Sequence, residues 1–188
     1  FTYIQIIKCG FLDSFAIIKD NDHFIVNMND CVPHEELYKI KKIINEINVD
    51  VLFTQFSYAD WNGNSKQRDL RKKAVEKKFQ QIKHQINFFN PKYIVPFASY
   101  IFFSNKENFF MNDEIPKISL IEKMINKNFS STSPVILYPN EDWDYNLKKN
   151  IESIKKYEDD LSRISIKHIP TKVNINKLID LSKSQVEK

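Results

Sequence analysis

Glycine is almost missing from this chain: of 188 residues only Gly10 and Gly63 are glycine. The Walker and GxGxxG phosphate loops need several glycines close together, so nucleotide binding of those kinds is excluded. Cysteine is equally sparse. Cys9 and Cys31 are too few for a disulfide scaffold and lack the paired spacing of a zinc finger, which points to a reducing, cytoplasmic compartment. No apolar run approaches the ~18–20 residues that span a bilayer. The opening Phe1-Thr2-Tyr3-Ile4 lacks a signal peptide's charged-then-apolar order. Basic residues barely outnumber acidic ones, 28 to 24, and a net charge of +4 does not imply nucleic acid. An initiator methionine is also lacking, and the expectation is a segment of a longer gene product.

What remains, 42% hydrophobic and 28% charged, is an ordinary globular composition with enough length for one full core. Ser14–Lys19 and His23–Met28 are apolar runs around Asp20-Asn21-Asp22, the pattern of a β-hairpin. Pro33, with Glu35 and Glu36 behind it, opens a helix whose apolar face is Leu37, Ile40, Ile44 and Ile47. Val49–Phe56 reads as the next strand. Ser65 is the expected N-cap of a long helix to Phe89, with Leu70, Ala74, Phe79, Ile82, Ile86 and Phe89 on its apolar stripe. Asn90-Pro91 stops it, because proline disfavours helical geometry in the residue before it. Tyr93–Ala98 is a third strand, Ser104–Asp113 a polar loop, 117–128 a shorter helix, and Pro134–Tyr138 a further strand. A last helix carries Trp143, Leu147, Ile151, Ile154 and Leu161. A hairpin followed by alternating strands and helices predicts a layered α/β domain over residues 1–161, with 162–188 as a C-terminal arm.

Ligands of layered α/β folds sit beyond the carboxyl ends of strands. Three such ends here carry polar clusters: Asn27–Cys31, Ser57–Asn64 and Ser99–Asn112. Each alone reads as a loop or cap; together on one edge they mark a candidate site. Ser57, Tyr58, Trp61, Asn62 and Asn64 mix hydroxyl, amide and aromatic groups, which suits a sugar or nucleotide, and equally suits a turn at Asn62-Gly63. Asn108, Asn112 and Asp113 share that ambiguity. Arg68 and Arg71 follow the loop directly and are candidate phosphate contacts, since guanidinium holds phosphate in a two-pronged grip. The alternative is a solvated basic face. Nucleic-acid binding is disfavoured, because aromatic stacking positions are not interleaved with the basic ones.

The same strand ends carry a resemblance. Asn27-Met28-Asn29-Asp30-Cys31 after a hairpin, Phe53–Asn64, Pro91–Tyr100 and Glu107–Asp113 resemble the second half of a metallo-β-lactamase-fold domain. Tyr138-Pro139-Asn140-Glu141-Asp142-Trp143 resembles the Tyr-Pro-Gly-Asp-x-Trp stretch of the branch that includes CMP-N-acetylneuraminate hydroxylase-like proteins, with Asn140 in place of glycine. The resemblance covers about residues 12–145. It implies the C-terminal half, or a degenerate version, of an αββα sandwich, with one sheet face left for a missing N-terminal half or a partner chain. It implies a metal-dependent hydrolase of a polar, phosphorylated or sugar-containing small molecule. The alternatives are a non-catalytic binding or assembly domain, or part of a Rieske-linked hydroxylase.

On the family's pattern Asp30 takes the place of an aspartate bridging two metal ions, zinc or iron; its other reading is a helix-start carboxylate. The family's His-x-His-x-Asp-His cluster is absent, and Ala98 or Asn105 stands where its later histidine belongs. Asn105 offers at best a weak amide oxygen. His23, His34, His84 and His168 do not pair at ligand spacing, so this chain alone is expected to hold little or no metal.

Overall fold

The structure is a computed structural model and describes residues 2–11, 13–31, 48–97 and 99–164. The expected helix from Pro33, His34, Ala98, His168 and most of the predicted C-terminal arm lie outside the described residues.

One mixed six-stranded sheet runs in sequence order: β1 (Thr2–Cys9), β2 (Asp13–Asp20), β3 (His23–Asn27), β4 (Val51–Thr54), β5 (Tyr93–Pro96) and β6 (Ser133–Pro134). The first three strands pair antiparallel, and β3 through β6 pair parallel. Three α-helices follow among the described residues: α1 (Arg68–Phe89), α2 (Ile118–Asn128) and α3 (Asn150–Arg163). The fold is therefore α/β, with the hairpin and the alternation read from the sequence both present.

Strand side chains alternate between two faces. One face sets Phe15, Ile17, Val26, Leu52 and Ile94 against Ile82, Ile86 and Phe89 of α1 and Ile118, Ile121 and Ile125 of α2. Ile154 and Tyr157 of α3 pack at its margin. The opposite face is apolar too. The cross-strand row Ile4, Ile18, Ile25, Val51 and Tyr93 runs along it. Val95 and Val135 continue it, and Trp143 covers its β6 end, its indole 4.6 Å from the Tyr93 ring. Toward β1 it stands open, with Ile4 59% and Ile6 64% exposed.

Four expectations are corrected. Ser65 does not cap α1: the helix starts at Arg68, because Asn64 and Ser65 give their carbonyls to the Arg71 guanidinium and the Gln67 side chain accepts the Asn64 amide at 2.8 Å. Leu70 is not a core residue but 44% exposed. Strand β6 is short because Pro134 has no amide hydrogen and the Asn150 side chain takes the Ile136 amide (2.9 Å) and the Pro134 carbonyl (2.8 Å). The same asparagine marks the start of α3, so Trp143 and Leu147 precede that helix and Ile151 points outward, 74% exposed.

Candidate functional site: a cleft at the ends of β3 and β4

After β3 the chain turns at Asn29, whose φ of 49° is the left-handed conformation asparagine tolerates. The Asn29 carbonyl accepts from the Gln55 amide beyond β4, so the two parallel strand ends are tied together. From α1, the Gln81 and Gln85 side-chain amides both donate to the Cys31 carbonyl at 3.3 Å, and Thr54 donates to Gln85 Oε1 at 2.5 Å. The glutamine amides fix the backbone just after Asp30, and the Gln55 amide fixes it just before. Nothing in the sequence pattern singled them out, because glutamines on a polar-looking helix read as surface.

Asp30 consequently sits exposed on the rim of a cleft of about 600 Å³. Gln55 and the Asp60-Trp61-Asn62 loop form one wall, and Lys73, Lys77 and Lys78 of α1 form the other. Trp61 is 58% exposed and braced edge-on against Phe110 at 5.6 Å. Asn62 Nδ2 donates to the Asp60 carbonyl (3.1 Å) and carboxylate (2.9 Å), which fixes the loop. Lys78 is half-buried and donates to Gln55 Oε1 at 3.0 Å. Burial pushes its ammonium below the usual lysine range and Lys77 adds to that, while Asp60 and Asp30 oppose it.

Of the residues singled out in the sequence, Asp30, Tyr58, Trp61 and Asn62 line this cleft, Tyr58 while almost wholly buried. Others serve the frame behind it. Arg71 is fully buried, its Nε and Nη2 on the two oxygens of Asp113 at 2.6 and 2.7 Å, and Arg68 pairs with Glu114. Neither guanidinium faces the cleft. Ser57 is buried, and Tyr58 sends its hydroxyl to the Met111 carbonyl at 2.6 Å. Asn112 bonds the Phe103 amide and carbonyl and the Phe109 carbonyl, so 104–113 is a braced segment ending in a 3-10 turn (Phe109–Glu114) rather than a ligand loop. Asn64 and Asn105 are exposed turn residues outside the cleft, and Asn108 Oδ1 is buried without a partner among the described residues.

A metal centre does not fit this donor set. Among the described residues no three His, Cys, Asp or Glu side chains converge. Besides Asp30 the cleft lining offers one other carboxylate, Asp60, and three lysines, whose charge opposes a cation. His23 lies at the far end of β3, beside Asp50 at 3.5 Å.

No protein-family model matches the chain, and no curated protein does. Among solved structures it is similar to a mutant of CmlA beta-hydroxylase, with a TM-score of 0.45 and 9% identity over 72% of this chain. The match spans 30% of that protein. A likeness at that level leaves the site to be read from its own residues. No helix among the described residues is long and apolar enough to cross a membrane.

Proposed function

We propose that this chain is a small-molecule-binding α/β domain whose site is the cleft at the carboxyl ends of β3 and β4. The observation that carries this reading is the exposed Trp61 ring in a cleft that sets amide, carboxylate and ammonium groups beside the apolar side chains of Leu70 and Ala74. A flat apolar face set among hydrogen-bonding groups suits a ring that bears hydroxyls. The test is a titration of free hexoses, nucleosides and their phosphates, followed by intrinsic fluorescence and by chemical shifts. A ligand of this class should perturb Trp61 and its neighbours, and Trp61→Ala should abolish the response. A panel that leaves the cleft unperturbed would end the proposal.

We further propose that the chain is one layer of a larger metallo-β-lactamase-like sandwich. The hairpin ahead of Asp30 and the open apolar row along β1 and β2 support it. Such a row needs a second apolar layer, from an N-terminal half or a partner chain. Asn140, which stands where the resembling branch has glycine, adopts φ 66° and so keeps the left-handed turn. In this reading a metal-dependent hydrolase site of the whole sandwich draws its ligands from outside the described residues.

A further inference from the structure

The two arginines that follow the strand-end loop are both engaged by carboxylates, which leaves the positive charge of the cleft to another set of residues. Lys73, Lys77 and Lys78 fall on successive turns of α1 and line the same wall. None of the three has an ion-pair partner among the described residues, whereas Lys72 one position away pairs with Asp69. Lys78 is held by Gln55 with its stem packed into the cleft. Three cations on one wall repel one another, and the two carboxylates present, Asp30 and Asp60, leave an excess of one positive charge.

Resting on the binding reading above, we infer that the cleft is a site for a phosphorylated sugar, with the phosphate on Lys73, Lys77 and Lys78, the sugar hydroxyls on Asp30 and Asp60, and the ring face on Trp61. The carboxylates are what separate this ligand from a bare anion. Ionised carboxylates only accept hydrogen bonds, so they repel phosphate and welcome hydroxyls. Ammonium groups only donate, and hold phosphate oxygens as point charges without demanding a planar partner. One wall therefore reads the anionic end of the ligand and the rim reads the hydroxylated end. Asn62 presets this polarity by fixing the Asp60 carboxylate in the loop that carries Trp61.

Titration calorimetry of the full chain with a hexose phosphate, the same free hexose and inorganic phosphate tests the assignment. The hexose phosphate should bind at least about tenfold more tightly than either fragment, since one charge-assisted hydrogen bond is worth at least a tenfold change in affinity. Its affinity should fall as salt rises, which screens charge on the exposed lysines. The Lys73→Gln, Lys77→Gln double variant should lose that advantage; both side chains are exposed, so the fold is spared, as circular dichroism would show. Lys78→Met, a second variant, keeps the packed stem and removes the ammonium. Equal binding of hexose and hexose phosphate would overturn the lysine assignment while leaving the binding domain intact. Equal binding of inorganic phosphate and hexose phosphate would overturn the roles of Asp30 and Asp60. Unchanged affinity in both lysine variants would also overturn it, and no binding of any probe would sink it together with the binding reading.

Discussion

Arg71 and Asp113 form a two-pronged ion pair that locks α1 to the 3-10 turn Phe109–Glu114, with the guanidinium fully buried. Its remaining donors reach the Asn64 and Ser65 carbonyls, and the Phe110 ring lies 5.1 Å from its centre. Breaking a fully buried pair from one side costs about 3–5 kcal/mol, but the Asp113 carboxylate left behind here is 30% exposed and partly hydrated. Arg71→Ala should therefore destabilise the domain by less than that, about 1.5–3 kcal/mol in urea unfolding. Arg71→Lys should recover little, because lysine cannot bridge both carboxylate oxygens and two carbonyls at once.

Acid should weaken the fold at two carboxylates. The Arg71 hydrogen bonds hold Asp113 below the usual aspartate range, against a smaller opposing effect of burial. Burial pulls Glu141 upward, but hydrogen bonds from Lys156, Ser153 and the Tyr138 amide outweigh it and hold it at about 2. A carboxyl whose folded pKa is depressed stabilises the fold above its unfolded value and loses that contribution as pH falls through the folded one. Unfolding free energy should thus be level above the ordinary carboxylate range and decline from pH ~4.3 downward. Glu141→Gln should flatten part of that decline.

The α/β class, the hairpin and most strand positions were legible in the sequence because apolar periodicity encodes which face is buried. Asn90 was legible as a helix stop, and it takes φ 42° at the end of α1. The site was legible only in part. Arg68 and Arg71 look like free cations in one dimension, since Asp113 and Glu114 lie more than forty residues away and pairing across that distance has no local signature. The lysines one and two turns further on were hidden by the same ambiguity, each indistinguishable from a solvated face. Asn150, which cuts β6 short, is invisible for a similar reason: a single asparagine bonding backbone fourteen residues back leaves no pattern.

Gly63 sets the shape of the Trp61 loop. Its φ is 85°, and an added Cβ would stand 2.8 Å from Leu70 Cδ1 and 3.0 Å from Gln67 Cβ. Left-handed backbone costs a residue with a Cβ about 1–2 kcal/mol before any clash. Gly63→Ala should lower stability by at least that much and shift the Trp61 fluorescence maximum, as the loop moves off Leu70.

Purified chain should contain far less than one equivalent of zinc or iron by elemental analysis, and Asp30→Asn should not change that content. The reason is the donor set: the cleft lining brings two aspartates and three lysines together with no histidine or cysteine, a poor match for zinc or iron. The substitution should instead register on Lys78, whose ammonium Asp30 helps keep charged. Its pKa, followed by NMR, should fall further in the variant. Stoichiometric metal lost on Asp30→Asn would reverse this reading.

The open sheet face should govern association. Ile4 and Ile6 stand on the side opposite the helices, paired across the strand with Ile18 and Ala16, and both are more than half exposed. Burying an isoleucine side chain is worth about 1.5–3 kcal/mol, so the pair alone represents several kcal/mol of unused apolar surface. The isolated chain should bind a fluorescent hydrophobic dye and self-associate as concentration rises, measured by light scattering. Replacing both residues with threonine keeps β propensity while removing most of the apolar area. That double variant should bind less dye and scatter as a smaller species, with its unfolding midpoint little changed because neither side chain touches the helix-covered core. If both variant and parent are monomeric and dye-silent at all concentrations, the face is already satisfied within the chain, and the second layer proposed for it is unnecessary.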